Sequence, residues 1–185
     1  MRQVKDADDS AQFMIIVMLS ETIAPDYNLN ESVISKLGII SSTALLFNIS
    51  LFLVGILNII GGFLYYQSHK DLKILIPFLL AGIGASGAGI FSLNTPKLHV
   101  FFAIFVFLFF NLQAIVTSFR LSHFMKYISL FMGILGFIYV VIMIIGDAGV
   151  TVVFDLIGHG GTERMIVYPP IFWLMVFGGF LMKKD

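Results

Sequence analysis

The sequence predicts an all-α integral membrane bundle of six transmembrane helices with both termini cytoplasmic, and three observations predict it. Hydrophobic residues make up 58% of the 185-residue chain and charged residues only 12%, where soluble domains carry about 25% charged residues. The apolar residues are gathered into runs long enough to cross a bilayer core of about 30 Å. The eleven acidic and eleven basic residues fall between those runs or at their ends, Glu21 in the first run excepted. That distribution is expected where a charge at mid-membrane costs about 2.5–3.5 kcal/mol.

Five runs are read at about residues 39–66, 72–92, 98–119, 125–145 and 165–182. A sixth, about 11–24, comes first and has a shorter apolar heart, and extending it backwards brings in Asp8 and Asp9. Charge asymmetry arbitrates, because cytoplasmic ends collect Lys and Arg. With six spans, Arg2, Lys5, Lys70, Lys73, Arg120, Lys126, Lys183 and Lys184 lie inside, and Lys36, Lys97 and Arg164 outside. With five spans the split is nearly even, six against five. A cleaved leader is disfavoured by three aspartates in the first ten residues and by the lack of a small-x-small site after the first run. The connections are short apart from the outer stretches Glu21 to Gly38 and Gly146 to Arg164, so residues 1–185 read as a single transmembrane domain, expected in the cell membrane.

Several functions are excluded by what the chain lacks. Its net charge is zero, so nucleic acid is not an expected partner. It has no cysteine, which removes disulfides, thiolate chemistry and iron–sulfur clusters. His69 and His123 fall at the inner rim and His99 and His159 at the outer, away from the mid-span positions a haem would need. No carboxyl lies at mid-membrane as a proton pump would require. Metal, serine-hydrolase and phosphate-loop signatures are absent, and Gly158-His159-Gly160-Gly161 reads as a flexible turn. No cofactor and no metal ligands are therefore expected.

Helices in lipid associate through close contact and interhelical hydrogen bonds, which favours small and weakly polar residues at their interfaces. The third span carries Gly82, Ser86 and Gly89 within a run of small residues and is expected at the bundle centre. The second carries Ser41, Asn48, Gly55 and Gly62 at seven-residue spacing, on one helical face with Asn58. Gly133 and Gly136 permit close approach of the fifth span, and the phenylalanines read as lipid-facing bulk. Asn48, Asn58, Asn111 and Gln113 read as interhelical hydrogen-bonding groups. Pro169-Pro170 is expected to kink the last span or mark its start.

The strongly polar residues gather on the outer side: Glu21, Asp26, Lys36, Asn94, His99, Asp147, Asp155, His159, Glu163 and Arg164. Glu21, inside an apolar run, calls for a partner, which Arg164 or His99 would supply. Three functions follow. The first is an accessory or lipid-binding bundle with a polar site at its outer face, whose partners are membrane lipids or other membrane-protein subunits. The second is an enzyme acting on lipids at the outer leaflet, with His99, Glu163 and Glu21 as candidate catalytic groups and Arg164 holding a lipid phosphate. The third is a small-solute transporter with a polar path through the intramembrane amides.

Three segments carry a family resemblance: Pro25-Asp26-Tyr27 with Ile34-Ser35-Lys36-Leu37-Gly38, then Leu46-Phe47-Asn48, and Glu163-Arg164-Met165-Ile166-Val167-Tyr168-Pro169 with Trp173 and Gly178. On these the chain resembles a family of small, mostly archaeal membrane proteins catalogued as domain of unknown function 998. The resemblance implies six spans and no reaction, and its pattern has an acidic residue at the position held here by Lys36. Ser35, Gly38 and His99 also resemble a pattern of the six-span group that includes FGF-receptor-activating, autophagy-modulator and GPI-anchor-maturation proteins. That likeness implies lipid or glycolipid handling at the outer leaflet.

Overall fold

Lipid offers backbone amides no hydrogen bonds, so a chain of this composition must satisfy them internally. The computed structural model, which describes residues 5–183, does so with six helices: α1 (Lys5–Ile23), α2 (Ala44–His69), α3 (Leu72–Ile90), α4 (Pro96–Ser118), α5 (His123–Asp147) and α6 (Gly158–Lys183). Two short 3₁₀ helices, Ile34–Gly38 and Thr151–Phe154, lie in the connections before α2 and α6. Local chemistry fixes the boundaries. The Asp71 side chain accepts the Lys73 N–H at 3.0 Å and caps α3. Pro96 opens α4, where its missing donor is harmless. Lys70 ends α2 in the left-handed region at φ 54°.

Consecutive helices pack side by side in a ring that closes where α1 meets α6, and α4 touches α6 across its interior. One end of the ring carries both 3₁₀ helices and is called the capped end here. The other carries Lys70, Lys73, Arg120 and Lys126 and is called the basic end. Helices α2 to α6 are each long and apolar enough to cross a membrane, whereas the apolar part of α1 is the shorter stretch Ser10–Ile23. Large apolar side chains face outward all round, among them Leu45 at 75%, Phe131 at 62% and Ile144 at 63% exposed. An outer surface of this kind is stable only against lipid.

The structure moves several expected features. The second helix starts at Ala44, five residues after the run at 39 begins, and continues to His69. The last helix starts at Gly158, so the segment Gly158 to Gly161 is its first turn and no loop at all. Helix α1 reaches back to Lys5, through the segment that holds Asp8 and Asp9. The phenylalanines divide between two roles: Phe13, Phe47, Phe78, Phe110 and Phe177 lie in the core. Helix α3 is a ring member between α2 and α4 and does not occupy the centre. Its side chains are nevertheless well buried because small residues let the neighbouring backbones approach.

That approach is closest between α2 and α3. A methyl built on Gly55 would come 2.5 Å from the Gly82 carbonyl oxygen, and one built on Gly82 would come 2.5 Å from the Gly55 carbonyl oxygen. Gly55 would also strike Ser86, and Gly89 would meet the backbone of Asn48 and Phe52 at 2.8 Å. On the other side of the ring, Gly133 lies against Asn111 and Ile115 of α4, and Gly136 against the Asn111 side chain.

Asn111 also answers the proline pair. Pro169 and Pro170 lie inside α6, and proline at 170 deprives the Ile166 carbonyl of its donor one turn on. The Asn111 Nδ2 donates to that carbonyl at 3.1 Å and to the Phe107 carbonyl at 2.7 Å. A side-chain amide on α4 thereby replaces the backbone bond that proline removes, so the proline pair stays within the helix.

Trp173, the only tryptophan, is fully buried, and its indole N–H donates to Ser129 Oγ at 2.7 Å. Ser129→Ala strands this donor, for which a loss of about 1–3 kcal/mol is expected. Denaturant titration followed by the fluorescence of Trp173 measures it.

Candidate functional site

At the capped end, three segments distant in sequence are tied together by Arg164. Its Nε and Nη2 donate to Glu21 Oε1 at 3.0 and 2.7 Å, joining α6 to the last turn of α1. Its Nη1 donates to the carbonyls of Leu29, Ser32 and Gly160 at 2.9, 3.0 and 2.7 Å, and Nη2 also reaches Tyr27 Oη at 2.8 Å. Side-chain exposure is 10% for Arg164 and 13% for Glu21, so the pair is largely desolvated. Guanidinium supplies five N–H donors in a planar fork, and here every nitrogen has a protein acceptor. Glu21 thus has Arg164 as its partner, with Tyr168 Oη beside it at 3.3 Å. Arg164, expected to hold a lipid phosphate, instead has its donors committed within the protein.

Tyr27 belongs to the same knot. Its hydroxyl donates to the Val33 carbonyl at 2.9 Å while accepting from Arg164. Burial pushes the Tyr27 phenol up to about 12, against the opposing pull of Arg164. A folded-state value above the ordinary one means the folded protein holds this proton more tightly than the unfolded chain. The resulting stability is complete below about pH 10 and is lost as pH rises towards 12. Alkaline unfolding followed by circular dichroism should therefore show a decline over that interval that Tyr27→Phe flattens.

The knot fixes the loop between α1 and the first 3₁₀ helix, and that helix is the lid of the adjacent cavity. Its Ile34 N–H donates to Glu163 Oε2, and Ser35 Oγ lies 3.4 Å from Glu163 Oε1. Glu163 and Arg164 are neighbours in sequence but point apart, Glu163 into the interior and Arg164 towards α1 and the loop. Lys36 turns outward, its Nζ 3.2 Å from Ser32 Oγ.

Beneath the lid, between α1, α2, α4 and α6, lies a narrow cavity of about 50 Å³. Phe13, Leu51, Val54, Val106, Phe110 and Ile171 are among its apolar walls, and Ser35, His99 and Glu163 are its polar side chains. Along α4 its lining runs from His99 to Phe110, a rise of about 16 Å. That is about half of a ~30 Å hydrocarbon core. His99 is 4% exposed, and its Nδ1 sits 2.8 Å from the Phe91 carbonyl. A carbonyl only accepts, so Nδ1 carries a proton, and in the neutral ring Nε2 presents a lone pair.

Of the candidate catalytic groups, His99 and Glu163 therefore share a cavity, and Glu21 stands behind it with Arg164. Asp147 and His159 pair at 2.9 Å on the exposed surface, away from the cavity. Among the described residues no three His, Asp or Glu side chains are grouped to hold a metal ion. The intramembrane amides bond to helices: Asn48 Nδ2 to the Gly38 carbonyl at 2.9 Å, and Asn58 Nδ2 to the Phe78 carbonyl and Gln113 Oε1 at 2.8 and 3.2 Å. Asn111 and Gln113 are fully buried. Ser35 and Tyr27 were not among the polar outer-side candidates. Their signal lay in the shared motifs, whose Tyr27, Ser35, Glu163, Arg164 and Tyr168 the fold gathers into one place.

A ring of apolar helices with a polar-ended internal cavity defines a membrane helical bundle. The chain belongs to the family described as "Protein of unknown function (DUF998)", whose model matches residues 10–179. No curated protein and no solved structure matches it.

Proposed function

We propose that the protein is a lipid-binding membrane bundle that takes one alkyl or acyl chain into the cavity, with the chain's polar end at Ser35, His99 and Glu163. The observation that carries this reading is the cavity itself: apolar walls through about the depth of one leaflet, ending on three polar side chains at the capped end. The capped end faces outward in this reading. With Arg164 locked to Glu21, Lys36 and Lys97 are the cations left there, against the basic residues of the opposite end.

Photo-crosslinking tests it. A long-chain lipid carrying a diazirine at its tail should label Val106, Phe107 or Phe110, and Ala103→Phe should abolish that label while Trp173 fluorescence stays native. Labelling confined to the outward-facing Phe131 and Ile144 would overturn the reading, because it describes only surrounding lipid.

The orientation of His99 favours a second reading, lipid modification. A histidine fixed by a backbone carbonyl through Nδ1 with Nε2 free is disposed to act as a base. Lipid profiles of cells carrying His99→Ala would then differ from those of cells with the unaltered chain, and identical profiles would count against catalysis.

A further inference from the structure

We infer that the cavity selects a neutral lipid headed by a hydroxyl, a long-chain alcohol, over a fatty acid or a phospholipid. This rests on the reading of the cavity as a chain-binding site and adds the chemistry of the head.

The inference follows from an inventory of donors and acceptors at the polar end. In the neutral ring His99 Nε2 is an acceptor with no hydrogen bond to the described residues, because Nδ1 carries the proton to the Phe91 carbonyl. Glu163 accepts from the Ile34 N–H through Oε2, and its Oε1 faces the Ser35 hydroxyl. Carboxyl oxygens have further lone pairs beyond these bonds. The Ser35 hydroxyl lies 3.4 Å from Glu163 Oε1, so with His99 Nε2 the end of the cavity offers more lone pairs than it can fill from its own donors.

Cations are missing from it for a structural reason. Arg164 follows Glu163 in sequence, yet its guanidinium turns away and is consumed by Glu21, Tyr27 and three carbonyls. Lys36 follows Ser35, yet its ammonium is directed to Ser32. Among the described residues no lysine or arginine lines the cavity.

A carboxylate or phosphate head brings only acceptors and a negative charge. Here it would meet the His99 lone pair and the Glu163 carboxyl with no compensating cation, and an unpaired buried charge is strongly disfavoured. A hydroxyl brings the donor that Nε2 lacks and leaves no charge to desolvate. Three small polar groups at the end of a narrow space also leave no room for a bulky zwitterionic head. An amine would supply donors too, and it is ranked against the alcohol in the experiment because the Glu163 carboxyl faces the same space.

The experiment uses the full-length protein in detergent micelles, labelled in the cavity by a tail-diazirine long-chain alcohol. Unlabelled alcohol, fatty acid and alkylamine of one chain length compete for that label. The alcohol should compete better than the acid by about tenfold or more, the factor that ~1.4 kcal/mol represents. His99→Leu should remove the preference and His99→Gln, which restores an acceptor, should recover part of it. Equal competition by all three, or better competition by the acid or the amine, overturns the hydroxyl assignment while leaving chain binding intact. Absence of any cavity label overturns the chain-binding reading itself. The ranking on the unaltered protein decides the matter even if the His99 variants fail to fold.

Discussion

Replacing Arg164 by methionine lowers the stability of the bundle by about 3–5 kcal/mol, the range for breaking a buried ion pair by removing one partner. Glu21 keeps its carboxylate in a site 13% exposed, and the Leu29, Ser32 and Gly160 carbonyls lose their shared donor. Lysine does not substitute, because a single ammonium cannot span the carboxylate of one segment and carbonyls on two others. Removing both charges, Glu21→Leu with Arg164→Met, recovers part of the loss, since no carboxylate is then left unpaired. The recovery is incomplete because the loop carbonyls are still abandoned. In thermal unfolding the single variant should melt lower by about 6–20 °C, at ~2–4 °C per kcal/mol for chains of this size. An Arg164→Met protein within about 1 kcal/mol of the unaltered one would contradict the assignment of Arg164 as the tie of the capped end.

The same residue shows where sequence reading succeeds and where it stops. Helices were legible because lipid forbids most alternatives, so composition and charge placement alone mark them. The need of Glu21 for a partner was legible as well, since a carboxyl in an apolar run is costly when alone. The direction of Arg164 was not. Arg164 reads as a group at the mouth of a span, free to reach a phosphate, and only the path of the loop through Tyr27, Leu29 and Ser32 shows its donors to be taken. Glu163 and Arg164 stand side by side in sequence but serve different faces of α6, a separation set by helical geometry once the helix is known to run through both. It was obscured because glycines at 158, 160 and 161 and prolines at 169 and 170 all read as interruptions. Tertiary contacts overrode them. The Gly160 N–H donates to the Asn30 carbonyl at 2.8 Å, and Asn111 takes over the carbonyl that Pro170 leaves free.

Gly136→Ala should destabilise the fold by about 2–5 kcal/mol, combining overpacking with a stranded buried carbonyl. A methyl at Gly136 would overlap the Asn111 amide oxygen. Side-chain tips often swing aside, but this one is held at Nδ2 by the Phe107 and Ile166 carbonyls. Moving it breaks the bond that repairs α6 at Pro170, so a change on α5 is felt on α6 through α4. The buried Asn111 Oδ1 has no conventional donor among the described residues, and the bare glycine is what lets it fit against α5. Two controls separate this account from a general intolerance of alanine. Gly179 has nothing within 4 Å of the position a methyl would take, so Gly179→Ala should be neutral or stabilising by up to ~1 kcal/mol through helix propensity. In an Asn111→Ala background the obstructing oxygen is gone, and Gly136→Ala should then add little to the loss that Asn111→Ala already causes. Denaturation of all four variants in mixed micelles, read by circular dichroism, yields this cycle. An equal cost of Gly136→Ala with and without Asn111 would show that the methyl is resisted by something other than the amide, and would dissolve the coupling between α4, α5 and α6 at this point.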